Sequence, residues 1–568
     1  MIKEPMRNRA GRVLLSLNSN KKVDFPNLIE AQLNSFSKFL ENGFTQVFSE
    51  INPVKDTMEK MWTLEFKTFR LGEPYRSIDD ACDLGLNYEA PVYATVQLMN
   101  NKTGEIKEQE LFVVDLPLMT TDGFFVVNGV RRVITHQIVR AEGVLFEENE
   151  VLPGGRSLYK AKLMPGNGPW YEFEVSKHNV ISIRLVPKRP RVLITELFRV
   201  LGYETDEEIL NLFKDVDNSE EYKYIESTLA RDFTKSKEEA IISVYNKLRP
   251  DESVTLDSAE KYIKGHFFNQ RKFDIGKVGR YQLNRKLGLD FPLTDHDLRF
   301  RIEDLIAVIK RLIEVNNGVV APDDIDHLSN RRIRSVGEVL IKQLAVGVRR
   351  LEKNIKDKMS MYGQDAKLTP SMLVSTKPIS AAMQSFFGSN QLSTFMDQSN
   401  ILSELENKRK VTASGPGGLV KERATFSVRE VHNSHYAKFD PVTSPESASI
   451  GVVTQLAMLA RVNEYGFLEA PYRKISHMVV NDGKAAVNRI ASEDIKAGKT
   501  TVVKAGKMIT AAQAKELKAV KDLKTFDVVP FLTDEIEYLD AAYEEKCKIT
   551  VATVKTDEYG NLTEELIP

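Results

Sequence analysis

The segment Phe124-Phe125-Val126-Val127-Asn128-Gly129-Val130-Arg131-Arg132-Val133-Ile134 predicts a β-hairpin, and with it a β-rich core. Runs of aromatic and β-branched residues flank Asn128-Gly129, a dipeptide that tolerates the two positive φ angles of a type I′ turn. The preceding residues 62–127 contain similar short runs, for example 91–98, and 101–104 is a typical turn sequence. We therefore expect antiparallel strands in this part of the chain.

Helical patterns lie on both sides of these strands. Residues 28–40 place apolar side chains on one helical face, with Pro26 near the start and Gly43 just past the expected end. Residues 298–313 repeat this spacing before Gly318. Other expected elements are a strand at 181–186, helices between 195 and 312, and a helix through 339–351. The sequence thus predicts an α+β multidomain fold, in which mixed β-rich modules accompany a helical module.

The bulk composition is that of a globular protein of the cytoplasm. The 568 residues far exceed what one hydrophobic core supports, so about three to five packed units are expected. Hydrophobic residues make up 42% and charged residues 28%, which argues against a disordered or a membrane protein. No apolar run reaches the roughly 18 residues of a membrane span, and the first residues lack a secretory signal. A cytoplasmic location without a membrane partner is expected.

Cysteine usage and net charge do not by themselves point to a ligand. Cys82 and Cys547 lie far apart and fit no metal-ligand spacing, so neither a zinc site nor a disulfide framework is expected. The net charge of −1 predicts no general affinity for nucleic acid, but a near-neutral total can conceal local basic stripes. Local clusters of cations therefore decide this question.

The segment 386–398 mixes aromatic side chains with many hydrogen-bonding ones. A plain core would not tolerate this density of polar groups unless each had a partner. One interpretation is the lining of a concave polar surface, and the other is a well-satisfied surface loop. The segment alone does not decide between them.

A basic, glycine-laced strip follows this segment. It begins with Lys408-Arg409-Lys410, continues through Ser414-Gly415-Pro416-Gly417-Gly418-Leu419, and ends with Lys421 and Arg423. Glycines allow close backbone approach, and five cations within sixteen residues can neutralise phosphates and release counterions. The strip therefore indicates a nucleic-acid contact, with a solvated basic turn as the alternative. It lacks the Gly-Lys-Ser/Thr ending of a nucleotide-binding P-loop.

No catalytic or metal site is expected. Residues 323–334 place three carboxylates before His327, but their spacing fits no calcium loop, so a capped turn with charge pairing is the better interpretation. Asp295-His296-Asp297 is better explained as the start of a helix than as part of a catalytic triad. The eight histidines form no recognisable signature of a nucleophile or of zinc.

Several of these segments, in the same order, resemble the β subunit of bacterial multisubunit DNA-directed RNA polymerase. The similarity covers nearly the whole chain and corresponds to the N-terminal half of that family's chains, so a truncation at Pro568 is expected. Its most specific stretches are 24–30, 115–120, 128–134, 283–288, 323–337, 386–418 and 463–474.

The resemblance implies a division of the chain into named modules. Residues 20–140 and 341–385 would form the two parts of the protrusion, and 141–340 the lobe. Residues 386–475 would form the fork with the rifamycin-pocket region. Residues 476–530 look like an inserted small β-rich module, with strands at 491–495 and 503–510 and a helix at 511–520 capped by Thr510. Residues 531–568 would begin the external region that follows.

The resemblance also assigns binding residues, all in the predicted fork. Contacts to the RNA–DNA hybrid fall on Thr394, Lys421, Glu446 and Ser449, and the charge pattern adds Arg423. The rifamycin-pocket positions are Gln391, Leu392, Ser393, Thr394, Phe395, Asp397, Asn407, Lys410 and Thr412. Asn407 replaces a usual histidine, Lys410 a usual arginine and Thr394 a usual glutamine, so we expect weak rifamycin binding. Residues 443–447 replace an acidic, glycine-ended motif of the family.

The function implied is transcription of DNA into RNA by a nucleotidyltransferase, with this chain as a wall of the channel for DNA and the hybrid. The expected partners are the β′ and α subunits, a sigma factor, template and non-template DNA, and nascent RNA. The catalytic magnesium (Mg) belongs to β′ in the family, so this chain is expected to bind no cofactor and to be inactive alone. The alternatives are a stand-alone nucleic-acid-binding protein without catalysis and a structural domain with solvated charges.

Overall fold

The computed structural model confirms an α+β multidomain chain with several separate sheets. It describes residues 26–56, 61–185, 191–219, 221–250, 255–269, 272–294, 298–362, 368–497, 500–520, 523–551 and 553–564. Asp24, Phe25 and Asp295-His296-Asp297, singled out above, lie outside these ranges. No helix in the described ranges is long and apolar enough to cross a bilayer.

Within the described ranges, the first part of the chain contains three α-helices and seven strands. The helices are α1 (Glu30–Lys38), α2 (Phe44–Ile51) and α3 (Ile78–Asp83), and the strands are β1 (Val54–Lys55), β2 (Trp62–Leu71), β3 (Glu89–Asn100), β4 (Ile106–Pro117), β5 (Phe125–Val127), β6 (Val130–Ile134) and β7 (His136–Arg140).

The next part begins with strands and continues mainly as helices. The strands are β8 (Gly143–Val151), β9 (Ser157–Met164), β10 (Tyr171–Val175), β11 (Ile181–Leu185), β12 (Val192–Leu193) and β13 (Arg331–Arg334). The helices are α4 (Ile194–Leu201), α5 (Asp206–Phe213), α6 (Tyr224–Leu229), α7 (Lys237–Leu248), α8 (Leu256–Phe267), α9 (Gly276–Leu287) and α10 (Ile302–Asn316).

The remainder again mixes helices with short strands. Its helices are α11 (Val336–Tyr362), α12 (Pro370–Leu373), α13 (Lys377–Ser389), α14 (Ile401–Arg409), α15 (Phe426–Arg429), α16 (Ala511–Lys518) and α17 (Ala541–Glu544). Its strands are β14 (Ser393–Phe395), β15 (Lys410–Thr412), β16 (Val453–Gln455), β17 (Arg461–Val462), β18 (Leu468–Val480), β19 (Ile495–Ala497), β20 (Thr500–Val503) and β21 (Thr525–Asp540).

The first hydrophobic core joins two stretches that are far apart in sequence. The sheet β1-β2-β3-β4 and the helices α1, α2, α11 and α13 share this core. Phe48, Val96 and Leu344, from α2, β3 and α11, are fully buried in it. Its members fall within 36–134 and 336–392, so both stretches of the chain are needed to form this unit.

The predicted hairpin is present beside this core. Val127 pairs with Val130, and the two turn residues have φ angles of 51° and 74°, as a type I′ turn requires. A Cβ on Gly129 would lie 2.7 Å from the backbone of Gly85, so the close approach also demands glycine. Strand β14 adds to β6 and thereby attaches the segment after 390 to the hairpin.

The second core lies within residues 144–315. A five-stranded antiparallel sheet, in the order β12-β11-β10-β9-β8, packs one face against the helices that follow it. The other face carries a ladder of charges: Lys162 lies 2.6 Å from Glu147 and 3.7 Å from Glu172, which in turn lies 2.5 Å from Arg184. Because the charges pair across strands, this face is not a free basic surface.

Two expected helix boundaries are wrong. Gly43 does not end the first helix, since the chain passes through a π-helical turn, Phe39–Gly43, directly into α2. The ring of Phe39 would lie 2.5 Å from a Cβ on Gly43, so this glycine makes room for the ring rather than ending the helix. Helix α10 starts at Ile302 instead of 298, because Arg299 forms a β-bridge with Asp274.

Residues 476–530, which the sequence predicts to be an insertion and which we call the inserted module, have their own small core on a long ribbon. β18 and β21 pair from Glu469↔Asp540 to Val480↔Thr525, and the core of ten buried residues between 479 and 528 lies at the far end. The helix with its Thr510 cap is confirmed, because the Thr510 side chain accepts the Gln513 N–H. The expected strand positions are wrong: β19 and β20 lie at 495–497 and 500–503, and Lys504 to Lys507 form a turn.

Candidate nucleic-acid interface

The base of the site is the pairing of β14 with β6. The Thr394 hydroxyl donates to the Val133 carbonyl at 3.2 Å and lies 3.4 Å from the Thr135 hydroxyl. The Ser393 hydroxyl donates to the Phe387 carbonyl at 2.8 Å, and both Ser393 and Leu392 are buried. These three predicted rifamycin-pocket positions therefore have hydrogen-bonding or packing roles within the fold.

Other residues of the same segment point outward. Gln391, Phe395 and Asp397 are exposed, and the guanidinium of Arg132 lies 4.3 Å from the centre of the Phe395 ring. Arg132 also donates to the Ser393 carbonyl at 3.2 Å, which fixes its position over the ring. A cation–π contact thus holds an exposed aromatic ring in place. No local pattern in the sequence indicates that Arg132 belongs to this surface.

Two of the five cations in the basic strip face inward. The Arg409 guanidinium donates to the carbonyls of Leu28, Leu456 and Ala457, at 2.6, 3.0 and 2.5 Å. Lys408 is buried, with its amino group 5.8 Å from the centre of the Phe124 ring. The expectation that all five neutralise phosphates is therefore wrong, because these two side chains tie the strip to the rest of the fold.

Lys410 and its neighbours form a half-exposed polar cluster. The Lys410 amino group lies 3.9 Å from Glu406, and the Asn407 amide donates to the Ser403 carbonyl at 2.8 Å. The backbone N–H and hydroxyl of Ser399 hold the pKa of Asp397 below its usual range, and the charge of Lys410 adds to this effect. Asp397 is accordingly an anion beside Lys410.

The glycine loop is held from below and open above. The Gln137 amide donates to the carbonyls of Ser414 and Pro416 at 3.2 and 3.1 Å, and the hydroxyls of Thr412 and Ser414 lie 2.8 Å apart. A Cβ on Gly418 would lie only 2.5 Å from the Ala413 carbonyl oxygen. The loop backbone from Pro416 to Gly418 is exposed, so another chain can approach it closely.

The two outward cations, Lys421 and Arg423, lie on an exposed 3₁₀ turn directly after this loop. Arg429 connects this turn to the following loop, because it donates to the carbonyls of Lys421, Ala448 and Ile450, each at 2.8 Å. The structure thereby brings Lys421 close to the loop of Glu446 and Ser449. Sequence reasoning missed Arg429, which no local charge pattern distinguishes.

Two concave regions border the strip. A cavity of about 470 Å³ is lined by Gln391, Gly415, Pro416 and residues of α11 and α13. A groove of about 1080 Å³ runs from the other side of Pro416 and Gly417 along α1, α2 and the start of α11. Of the nine predicted rifamycin-pocket residues, Gln391 lines the smaller cavity and the other eight do not. Their common binding site stays a prediction.

The acidic segment before His327 divides its charges among three partners. Asp323 lies 2.8 Å from Lys286, Asp324 lies 2.8 Å from a nitrogen of His432, and Asp326 lies 3.7 Å from Arg331. This is the charge-paired turn that the spacing indicates. Within the described ranges, no group of three or more His, Cys, Asp or Glu side chains is arranged to hold a metal ion.

Comparisons with known proteins agree with this geometry. Residues 140–334 match the family model for RNA polymerase Rpb2, domain 2, and residues 394–462 match that for RNA polymerase Rpb2, domain 3. The DNA-directed RNA polymerase subunit beta of Dehalococcoides mccartyi strain BAV1 is 40% identical over 547 residues, which is 96% of this chain and 43% of the relative. The subunit of strain CBDB1 gives the same values.

A third relative extends the similarity to another organism. The DNA-directed RNA polymerase subunit beta of Chloroflexus aggregans is 41% identical over 487 residues, which is 81% of this chain and 39% of the relative. The chain thus spans less than half the length of these relatives. Because nearly all of it aligns with them, and because both matched models fall on units described above, the chain belongs to the DNA-directed RNA polymerase β subunit family.

Proposed function

We propose that this chain forms part of the nucleic-acid channel wall of a DNA-dependent RNA polymerase and acts in transcription. The observation that carries the proposal is the exposed surface of Pro416 to Gly418 with Lys421 and Arg423. It combines an accessible glycine backbone, two outward cations and two bordering concave regions. The names of the relatives support the reaction, and the geometry of this surface supports a role in contacting nucleic acid.

The charges on this surface suit a phosphate backbone. No described carboxylate lies within 4 Å of the amino group of Lys421 or the guanidinium of Arg423, so neither cation is neutralised within the described chain. Cations that contact phosphates release counterions, and each contact steepens the fall of affinity with salt. Lys421 and Arg423 therefore position an RNA–DNA hybrid through its backbone and read no sequence.

The proposal assigns catalysis to other chains. By resemblance to the family, β′ supplies the catalytic Mg, and this chain binds no cofactor. The α subunits and a sigma factor are further proposed partners, together with template and non-template DNA and nascent RNA. Thr394, Glu446 and Ser449 are proposed RNA contacts, and the closeness of the Ser449 loop to Lys421 through Arg429 supports the last two.

A rifamycin site with weakened contacts is part of the proposal. Lys410 offers a single ammonium where a guanidinium would give two parallel hydrogen bonds, and Asn407 lacks an imidazole face. Thr394 already donates its hydroxyl to the Val133 carbonyl. We expect poor inhibition by rifampicin, and Asn407→His with Lys410→Arg should lower the inhibitory concentration at least about tenfold, since each restored charged hydrogen bond contributes more than 1 kcal/mol. Full sensitivity of the unmodified polymerase would contradict this.

The channel proposal is tested by assembling the chain with β′ and α and measuring RNA–DNA hybrid binding against salt. Lys421→Ala with Arg423→Ala should reduce the slope of log affinity against log salt by about two units. The matched control is Lys214→Ala with Lys353→Ala, which removes two exposed cations elsewhere. Equal slopes for all three proteins, or failure of the chain to assemble with β′ and α, would contradict the proposal.

A further inference from the structure

The inserted module differs in charge from the rest of the chain. Residues 476–530 contain ten Lys and Arg against six Asp and Glu, a net charge of +4, whereas the whole chain carries −1. Its buried interior is apolar, with Val503, Ile509 and Leu517 among the core residues, and the lysines of the module that the structure describes are exposed. A positive module on an otherwise negative chain creates a local field that attracts polyanions.

Three of these lysines lie on or beside one turn of the module, residues 481–484. The Lys518 side chain lies on the turn that contains Gly483, where a Cβ would be 3.0 Å from the Lys518 Cδ. Lys484 belongs to the same turn, and the N–H of Asn481 donates to the Lys524 carbonyl at 3.0 Å. The Asn481 amide also donates to the Leu517 carbonyl at 2.6 Å, which fixes the end of α16 against this turn. We call Lys484, Lys518 and Lys524 the lysine patch.

The lysine patch is not neutralised by ion pairing within the described chain. All three lysines are exposed, and no described carboxylate lies within 4 Å of their amino groups. Asp482, in the same turn, accepts the N–H groups of Lys484 and Ala485 at 2.8 and 2.7 Å. These hydrogen bonds chiefly lower its pKa, and Lys518 contributes less. By contrast, Lys160 and Lys162 on the five-stranded sheet are paired with Glu147.

The ribbon gives the patch its reach. β18 has 13 residues, which corresponds to about 40 Å of extended chain. Its base is fixed, because Leu468 and Ala541 share a core with the predicted fork, and Tyr281 of α9 stacks on Tyr465 with ring centres 4.3 Å apart. The module is therefore held at the end of an anchored arm.

We propose that the lysine patch is a second, sequence-independent binding surface for the phosphate backbone of duplex DNA. Flexible ammonium groups act as point charges towards phosphates and need no bidentate geometry. Lysine is depleted in protein–protein interfaces, whereas protein–DNA interfaces are polar and positively charged. Val480 exposes an apolar side chain beside the patch, which favours a protein over DNA as the partner. An acidic protein is therefore the alternative, and the experiment also tests binding to an acidic polypeptide.

The test measures binding of a short random-sequence DNA duplex by the full chain between about 50 and 200 mM salt. The patch variant is K484Q/K518Q/K524Q. The matched control is K496Q/K504Q/K507Q, which removes the same charge from exposed lysines of the module outside the patch. Circular dichroism checks that both variants keep the fold.

The patch variant should lower the slope of log affinity against log salt by about three units, and the control by less than one. Equal changes in both variants, or no change in either, would overturn the proposal. The proposal would also be overturned if the patch variant lost binding to polyglutamate while its DNA slope stayed unchanged. That result would identify an acidic protein as the partner. Lys421 and Arg423 are untouched, so this result and that for the proposed function are independent.

Discussion

At the residue scale, the direction in which a cation points decides its role. Arg409 and Lys421 lie twelve positions apart in one basic strip, yet Arg409 satisfies three carbonyls and Lys421 is exposed. The sequence predicted a basic strip correctly but not this difference. The Arg409 side chain turns inward because residues 28 and 456 supply carbonyl acceptors. These residues lie far from the strip in sequence, so no local pattern reveals them.

This difference gives a prediction about stability. Arg409→Ala leaves the Leu28 and Leu456 carbonyls without their donor, whereas the Ala457 carbonyl still accepts the Ala460 N–H. The substitution should lower the free energy of unfolding by about 2–4 kcal/mol. Lys421→Ala, at an exposed position, should change it by less than about 0.5 kcal/mol. Urea unfolding of both variants measures the contrast. Equal effects would show that Arg409 does not hold the strip in place.

At the scale of elements, the hairpin and the capped helix of the module were predictable because local chemistry determines them. Asn128-Gly129 specifies its turn, and Thr510 specifies the start of α16. Gly43 was misread as a helix end because its role depends on the Phe39 ring, a contact that the turn propensities do not contain. Local signals thus predicted that these elements exist, whereas tertiary packing determined the residues at which they begin and end.

The strand β7 contains a histidine whose burial the sequence did not reveal. His136 is fully buried, and neither ring nitrogen has a hydrogen-bond partner among the described residues. Burial lowers its pKa to about 4, and the charge of Arg409 adds to this effect. The folded chain therefore keeps His136 neutral, whereas the unfolded chain protonates it near pH 6.5.

Stability should accordingly depend on pH through this strand. The contribution of neutral His136 to the free energy of unfolding is complete above about pH 6.5. As the pH falls towards 4, this free energy decreases by up to about 3 kcal/mol. His136→Phe should flatten the stability curve in this window, and the control His477→Phe, at an exposed position, should not. Urea unfolding at pH 7.5 and 5 measures it, and an unchanged curve for His136→Phe would refute this account.

A junction of three histidines shows what only the fold brings together. The rings of His327 and His432 lie 5.4 Å apart, and those of His432 and His435 lie 6.0 Å apart. The Ser434 hydroxyl accepts the Leu328 N–H at 3.0 Å, which joins the two segments. Because about a hundred residues separate them, the spacing around His327 could not indicate its neighbours.

At the scale of the whole molecule, separate cores make the units separable. The core of the inserted module lies within residues 479–528, and Met478 pairs directly with Asp527 across the ribbon. Replacing 479–526 by Asn-Gly should therefore close the ribbon with a type I′ turn and leave the other cores folded. Urea unfolding followed by circular dichroism should retain their transition midpoints. A general fall of these midpoints would show that the module supports the rest of the chain.

The order of motifs along the chain was enough to identify the family, but the arrangement of the site was not. Leu28, Gln137 and Arg429 each hold part of the strip from a distant position in the sequence. Such contacts follow from the return of the chain through α11 and α13 to its first core. The sequence therefore predicted candidate contact residues on the outer surface, and the structure supplied the residues beneath them.

The central claim is that the exposed surface from Pro416 to Arg423 lies against nucleic acid in the assembled enzyme. A photo-crosslinking side chain in place of Val420, which is 56% exposed within this surface, measures it directly. In polymerase assembled with β′ and α on an RNA–DNA hybrid, we expect crosslinks from position 420 to the RNA strand and none from the exposed position of Phe233. Absence of RNA crosslinks at position 420, with assembly intact, would contradict the account.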